Sequence, residues 1–257
     1  MEDFLESWKK PQPFPPSRKT VDWIITSLGL HAEILDSIGH TASALNAIHR
    51  ASKMAGLYYE RNLCLPMLVC EYRRANLMTT LGFEQEALSA AEKALKLTRE
   101  MSSALDKENL VSALHAVAIA ADRCLSYQRV IEVSEEALYI CQQDNKLALK
   151  QGYPSPCPTY LTLMPRSAQL LSFGCANNAM TVLGLQYATD AVQYAINLRG
   201  AVTLGTGPAA QSYFEARGSL ANILISTGDV YGATAILQEQ RKYFNKQVEV
   251  RNGDYRA

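Results

Sequence analysis

The stretch LMTTLGFEQEALSAAEKALKL, from Leu77 to Leu97, contains two runs of helical spacing separated by one glycine. Apolar residues precede Gly82, and glycine tolerates the positive φ of the position that follows a helix. Small residues then return every three or four positions, at Ala87, Ala91 and Ala94. Small side chains allow two helix axes to approach closely. The stretch therefore predicts two antiparallel helices that pack together across a tight turn.

The same pattern occurs on both sides of this stretch. Gly82 lies 43 residues after Gly39, and the steps from Ala44 to Ala87 and on to Val130 are also 43 residues. A second set of small residues keeps the same step: Ala51, Ala94 and Ala137. A fixed period of this length is typical of stacked structural repeats, each of which is one supersecondary unit.

The repeat resembles the tetratricopeptide repeat (TPR), which has two helices, A and B. The resemblance rests on a small residue in helix A, a glycine near the turn, an aromatic after it, and two alanines seven apart in helix B. In the second repeat these residues are Ala75, Gly82, Phe83, Ala87 and Ala94. The third repeat has Ala118, Tyr127 and Ala137, with Leu125 and Val130 in place of glycine and alanine, and a copy near the C-terminus has Ala221, Gly228 and Ala233. The period exceeds the usual value of about 34 residues, as in the long repeats of kinesin light chain.

The resemblance implies an all-α fold, a right-handed α-solenoid of about five antiparallel helix pairs. Four prolines interrupt the period after the third repeat, and proline disfavours helix interiors. The expected organisation is a Pro-rich N-terminal arm (1–19), repeats one to three (20–150), a Pro-rich loop (151–165), repeats four and five (166–247) and a polar tail (248–257). In the arm, Pro13 and Pro16 form a P-x-x-P motif. Such a motif is typical either of a solvent-exposed segment that precedes the first helix or of a ligand for an SH3 domain.

Charge and hydropathy exclude several classes of partner. The 25 basic and 25 acidic residues balance, so no net charge attracts nucleic acid or an acidic membrane. No apolar run approaches the roughly 18 residues that a membrane span needs, and the first residues lack the apolar core of a signal peptide. The six cysteines include no C-x-x-C pair. We expect a location in the cytoplasm or the nucleus.

No motif predicts catalysis, a metal or a cofactor. His31, His40 and His49 recur every nine residues, which places successive members half a turn apart on a helix. His115 and Ser112 are three residues apart on one helix, which is weak support for a nucleophile and base. The glycines between 200 and 207 lack the G-K-[ST] of a phosphate loop. The sequence predicts a protein that is not an enzyme and needs no cofactor.

The resemblance also implies where a partner would bind. In such arrays the A helices line a concave groove that takes an extended peptide or a helix of another protein. Aromatic, amide and arginine side chains suit such a ligand, because they supply contact area, hydrogen bonds to its backbone and a partner for its carboxylates. The predicted groove residues, which lack the lysines of a co-chaperone carboxylate clamp, are Tyr72, Asn76, His115, Asp122, Arg123 and Asn222.

Two other functions fit the same architecture. The chain could be a structural subunit of a larger assembly, with contacts through its outer surface and ends. It could also be the regulatory or sensor domain of a longer protein, since repeat arrays often follow an ATPase or effector domain.

Overall fold

A computed structural model of the chain describes residues 17–58, 65–101, 107–151, 158–201 and 208–254. Ten helices and no strands are found within these ranges. In chain order they are α1 (Arg18–Ser37), α2 (Thr41–Tyr58), α3 (Leu65–Thr80), α4 (Glu84–Glu100), α5 (Lys107–Arg123), α6 (Tyr127–Lys150), α7 (Pro158–Asn177), α8 (Thr181–Ala201), α9 (Pro208–Ser226) and α10 (Val230–Asp254). Odd-numbered helices are the A helices of five hairpins, and even-numbered helices are the B helices.

Every hairpin turns through one residue in the left-handed region of φ. In the second hairpin this residue is Gly82, with φ of 79°. Its N–H donates to the Thr79 carbonyl at 3.2 Å, and the Phe83 N–H donates to the Met78 carbonyl at 2.9 Å. These two bonds form the Schellman motif, which satisfies carbonyls at the end of a helix. The left-handed residues of the five hairpins are Gly39, Gly82, Leu125, Ala179 and Gly228.

The left-handed residues fix the repeat register. The first two steps are the predicted 43 residues, and the next two are 54 and 49 residues. The sequence alone leaves the alignment of the fourth hairpin open. Ala179 fixes it, and repeat positions in this hairpin are numbered relative to that residue. Leu125 adopts φ of 56° although it carries a side chain, so the third hairpin keeps the turn geometry of its neighbours without glycine.

The small residues lie where helices meet, as predicted. Ala44, Ala87 and Ala94 are fully buried, and so is Val130 in the third repeat. In the fourth hairpin a glycine occupies such a contact between paired helices. A Cβ on Gly184 of α8 would lie 3.0 Å from two backbone atoms of α7, the Ala176 nitrogen and the Ser172 oxygen. Small residues at these positions let paired helices pack backbone against backbone.

The chain divides into two compact units, residues 1–97 and 98–257. In unit 1, α2 contacts both α1 and α3, and the cores are built around Ile25, Met54 and Ile48. In unit 2, α6 contacts α5 and α7, and α8 contacts α7 and α9. Its core includes Leu171 and Cys175 of α7. Each B helix named here thus packs between two A helices.

The predicted Pro-rich loop is wrong in its second half. Helix α7 begins at Pro158 and contains Pro165, whereas a loop was expected through residue 165. Proline is well tolerated at the first position of a helix, where its missing N–H has no partner to lose. Pro165 removes one interior hydrogen bond, and the burial of Met164, Ala168 and Leu171 on the same helix offsets that cost. Residues 152–157 lie outside the described ranges.

The predicted boundaries at both ends also differ from the helices. Helix α1 begins at Arg18, inside the predicted arm, and the Ser17 side chain caps it by accepting the Thr20 N–H at 3.2 Å. Serine is a favoured N-cap residue because its side chain satisfies a free N–H of the first turn. Helix α10 continues to Asp254, so most of the predicted polar tail is helical.

Candidate functional site

The A helices of unit 2 lie side by side, since α7 contacts both α5 and α9. Counting back from the left-handed residue of each hairpin identifies equivalent positions on the three helices. Three such positions are accessible on every helix, and in α5 and α7 all residues between the first two are buried. We call these nine residues the A-helix surface of unit 2: Ser112, Ile119 and Arg123 on α5, Arg166, Phe173 and Asn177 on α7, and Glu215, Asn222 and Ser226 on α9.

Two arginines of this surface have no partner within the described ranges. Neither Arg123 nor Arg166 forms a hydrogen bond or salt bridge through its guanidinium there. Arg166 takes the first of the three positions and Arg123 the last, which separates them by about 16 Å along the helix direction. Between them lie the half-buried side chains of Ile119 and Phe173. The surface thus has an apolar centre with an unpaired cation towards each end.

Two other predicted residues lie on or beside this surface. Asn222 is exposed on α9, at the position equivalent to Ile119 and Phe173. Asp122 is half-buried next to Arg123. Partial burial raises the pKa of its carboxyl, although the neighbouring Arg123 acts in the opposite direction. Arg166 and Phe173 are not among the predicted residues, because the fourth repeat could not be aligned before its left-handed residue was known.

His115 lies in the interior, contrary to the predicted groove position. Its side chain is 7% exposed, and its Nε2 lies 2.8 Å from the Ser167 hydroxyl of α7. The Ser167 hydroxyl donates to the Leu163 carbonyl at 3.0 Å, so the imidazole must be the donor in the first bond. His115 therefore joins α5 to α7 and is not available to a ligand.

The groups around His115 are held in their neutral forms. Burial, assisted by the charge of Arg166, lowers the pKa of His115 to about 3. Burial also raises the pKa of the nearby Cys141 thiol to about 12. A nucleophile needs an activated, accessible thiolate or hydroxyl, and the Ser167 proton is already given to a backbone carbonyl. This cluster is suited to helix packing rather than to chemistry.

Unit 1 carries two of the predicted residues on α3. Tyr72 is half-buried and Asn76 is exposed, one turn apart on the same helix. A cavity of about 220 Å³ lies between α1 and α3, lined mainly by apolar side chains that include Ile25, Leu30 and Val69. Thr26, Gly29 and Arg73 also line it. A cavity of this size and polarity suits one apolar side chain of a ligand.

A buried carboxylate in unit 1 was not predicted. Glu71 of α3 is 1% exposed and accepts hydrogen bonds from the Lys93 ammonium at 2.6 Å and the Ser52 hydroxyl at 3.0 Å. Arg74 lies 3.3 Å from its other oxygen. The repeat frame contains the signal that could have found it, because Leu114 takes the equivalent buried position one period later. A charged residue at a core position predicts a partner on a neighbouring helix.

Among the residues that the structure describes, no group of three histidine, cysteine or acidic side chains is placed to hold a metal ion. None of the described helices combines the length and apolarity needed to cross a membrane.

Comparison with known proteins identifies relatives of the fold. No protein-family model matches the sequence, and no curated protein matches it. Solved structures do match. A kinesin light chain protein from Podosopora anserina, with nearly identical TPR-like repeats, superposes with a TM-score of 0.64 over 88% of this chain and 96% of its own, at 17% sequence identity. A second crystal structure with the same description gives a TM-score of 0.62 at 17% identity, over 87% of this chain and 96% of the other.

A third similar structure comes from a larger protein. It is a signal transduction ATPase with numerous domains (STAND) from Pyrococcus horikoshii, which has a tetratricopeptide repeat sensor. The TM-score is 0.56 at 15% identity, and the match covers 94% of this chain but 33% of the other. At such identities the likeness establishes the fold alone. Together with the five hairpins and their left-handed turn residues, it shows that the chain has the fold of a TPR-like α-solenoid.

Proposed function

We propose that the chain is a non-enzymatic protein-interaction scaffold that binds an extended peptide or a helix of a partner protein. The observation that carries the proposal is the A-helix surface of unit 2, where Arg123 and Arg166 lack partners within the described residues and flank the apolar centre of Ile119 and Phe173. The solenoid fold supports it, because stacked repeats commonly present long surfaces to peptides. Binding requires no cofactor and no catalytic group.

The chemistry of this surface defines its ligand. An arginine pairs best with a carboxylate, and a partly buried aromatic is a common anchor for binding energy. The 16 Å along the helix direction, together with the spacing of neighbouring helices, requires at least about five residues of extended chain. The ligand would therefore carry an apolar side chain near its middle and acidic groups on both sides of it. Asn222 would bond to the ligand backbone from α9.

Unit 1 offers a second surface for the same partner or for another one. Tyr72 would supply contact area and Asn76 an amide, and the cavity of about 220 Å³ would take an apolar side chain of the ligand. Asp122 and Arg123 stay in the proposed site on unit 2. His115 is left out, because its ring is bonded to Ser167 in the interior.

A peptide selection followed by matched variants tests the proposal. The purified chain would be used to select from a displayed library of random peptides, and the affinity of selected sequences would be measured by calorimetry. The double variant Arg166→Ala, Phe173→Ala should weaken binding at least tenfold, or about 1.4 kcal/mol. A control variant, Lys146→Ala with Tyr139→Ala, also removes one cation and one aromatic, but from exposed positions on the B helix α6.

The outcome distinguishes the possible surfaces. Selected peptides enriched in acidic residues around an apolar residue, and weakened only by the α7 variant, would support the proposal. Equal affinity in the folded α7 variant would contradict it. Loss of binding in the control variant alone would move the site to the B helices.

A second candidate function is a structural subunit of a larger assembly. It is favoured by apolar side chains exposed beside the hairpin turns of unit 2, above all Val182 and Tyr231. Exposed apolar groups of this kind are common at protein interfaces. An assembly subunit would co-purify with its neighbours at fixed stoichiometry and would lose them on Val182→Asp or Tyr231→Asp, but not on Arg166→Ala.

A further inference from the structure

The A helices of unit 2 differ at the tenth position before their left-handed residues. The equivalent residues are His115 on α5, Gln169 on α7 and Gly218 on α9. Gln169 lies three residues after Arg166 and four before Phe173, which places it on the side of α7 that carries these two residues. The tenth position thus lies between accessible positions of the A-helix surface.

The side-chain amide of Gln169 is buried without a hydrogen bond. The residue is 2% exposed, and its Nε2 has no hydrogen-bond partner. Its Oε1 forms no hydrogen bond with a described residue either. Buried amides usually have partners, because an unpaired one loses its bonds to water without replacement. Gln169 therefore lacks a partner that a bound molecule could supply.

The repeat register explains why α9 supplies no partner. His115 donates to Ser167, which is the twelfth residue before the left-handed residue of the next A helix. The twelfth residue on α9 is Ala216, which is fully buried and has no side-chain acceptor. Gln169 thus has no acceptor at the place where its equivalent on α5 has one.

Gly218 leaves α9 without a side chain at the same level. Nothing lies within 4 Å of the place that a Cβ would occupy, and its φ is not in the left-handed region. Neither packing nor backbone geometry requires glycine here, although glycine weakens a helix. Gly218 lies three residues after Glu215 and four before Asn222, so the gap belongs to the A-helix surface.

We propose that Gln169 binds the backbone of an extended peptide, which crosses from α7 to α9 over the gap at Gly218. This inference rests on the proposed function, because it concerns the same surface. The Gln169 amide turns outward about its side-chain torsions when the peptide binds, and it loses no hydrogen bond in doing so. Its N–H donates to a peptide carbonyl, and its oxygen accepts the N–H of the same residue, since an extended residue directs both groups to one side. The absent side chain at Gly218 lets the peptide backbone approach α9.

This contact restricts the ligand of the A-helix surface to an extended peptide. The backbone N–H and C=O groups in the interior of an α-helix are bonded within that helix, so a helical ligand has none left for Gln169. The contact is also independent of the side chains of the ligand. Arg166 and Phe173 would therefore select the ligand side chains, whereas Gln169 would select the backbone conformation.

Backbone substitutions in the ligand test the contact. A peptide from the display selection would be synthesised as a series in which one backbone N–H at a time is replaced by an ester oxygen, and each affinity would be measured by calorimetry. One ester should weaken binding to the parent chain at least about fivefold, because it removes the donor to Gln169. Gln169→Leu should weaken the unmodified peptide to a similar extent and should make that same ester neutral, since the two partners are coupled.

Two matched variants serve as controls. Gln186→Leu makes the same change at an exposed glutamine of the B helix α8 and should leave the affinity unchanged. Gly218→Leu fills the gap and should weaken binding at least about tenfold, whereas Gly56→Leu should not, although this glycine of α2 also has nothing within 4 Å. Circular dichroism should show the same helix content in all four variants. Without peptide, Gln169→Leu should have a higher Tm than the parent chain, because it removes an unpaired buried amide.

The outcomes separate this inference from the proposed function. A peptide that is weakened by Arg166→Ala with Phe173→Ala, but is bound by folded Gln169→Leu with the parent affinity, would overturn this inference alone and would assign an internal water to the amide. A lower Tm for Gln169→Leu, or a peptide that binds as a helix, would also overturn it. A peptide that neither variant affects, or a selection that yields no peptide, would contradict the proposed function and this inference together.

Discussion

Glu71 and Lys93 form a salt bridge of 2.6 Å that joins α3 to α4. The last hairpin has a salt bridge between the equivalent two positions, Arg217 of α9 and Glu239 of α10. There the cation is on the A helix and the carboxylate on the B helix. Each pair is separated by 22 residues. The position on the A helix is otherwise apolar or small, as in Leu28, Leu114 and Ala168. Two hairpins of the array are thus held by an ion pair at a position where their neighbours use packing.

A charge exchange at Glu71 and Lys93 should reproduce the arrangement of the last hairpin. Glu71→Arg alone places a buried cation beside Lys93 and Arg74 and should cost about 3–5 kcal/mol in the free energy of unfolding. Adding Lys93→Glu restores an opposite charge and should recover at least about 1 kcal/mol. Urea denaturation of the single and double variants measures the difference. Additive effects would show that the two side chains are not coupled in solution.

Folding stability should depend on the protonation of His115. Its folded pKa of about 3 lies below the ordinary 6.5, so between these values the unfolded chain binds a proton that the folded chain does not. The contribution is fully present above pH 6.5, and it should fall by about 1.4 kcal/mol per pH unit below that value. His115→Gln keeps a neutral donor for Ser167 and should flatten this slope. Urea denaturation between about pH 4 and pH 7 measures the slope in both chains.

Two glycines in helices should respond in opposite directions to the same substitution. Gly184→Ala puts a methyl group 3.0 Å from the backbone of α7 and should destabilise the protein by about 1–3 kcal/mol. Gly218→Ala, on α9, meets nothing within 4 Å and should stabilise it by about 0.5–1 kcal/mol because alanine favours helix. Thermal melting of the two variants gives the test. A higher Tm for Gly184→Ala would contradict the close contact of α7 and α8.

The turn of the third hairpin should be improved by glycine. Leu125 has φ of 56° and an exposed side chain, so Leu125→Gly removes backbone strain and little packing. It should raise the free energy of unfolding by about 0.5–1 kcal/mol. Gly82→Ala at the equivalent turn, where φ is 79°, should lower it by about 1 kcal/mol. A destabilised Leu125→Gly chain would show that the leucine side chain makes a contact that matters more than the strain.

Local spacing was sufficient to predict the helix pairs. Gly39 and Gly82 mark the first two turns, and Ala44, Ala87 and Ala94 mark the contacts that follow. The fourth hairpin was harder to align, because its turn residue is Ala179 rather than glycine and its step is 54 residues. Pro165 misled the loop prediction, because tertiary packing of α7 outweighs a local preference.

The candidate site was predicted only in part. Arg123 and Asn222 lie at accessible positions. Helical periodicity can predict this, because it identifies which side of a helix a residue occupies. It could not place His115, whose equivalent on α7, Gln169, is also buried and whose ring forms a hydrogen bond with Ser167 of that helix. The partner that buries a polar side chain is 52 residues away in the sequence, and no local pattern encodes such a distance. The buried Glu71 was missed although the repeat frame holds a signal for it, since the buried Leu114 lies one period later.

The left-handed residue of each hairpin has a consequence for how the chain unfolds. Each turn closes through hydrogen bonds within a few residues, and the helix contacts described here join only neighbouring hairpins. Stability in such an array is the sum of local terms and nearest-neighbour terms. Cooperativity should therefore extend over a limited number of hairpins, and a variant such as Leu125→Gly should change amide hydrogen exchange most in its own hairpin and the adjacent ones, with a progressively smaller effect at α10.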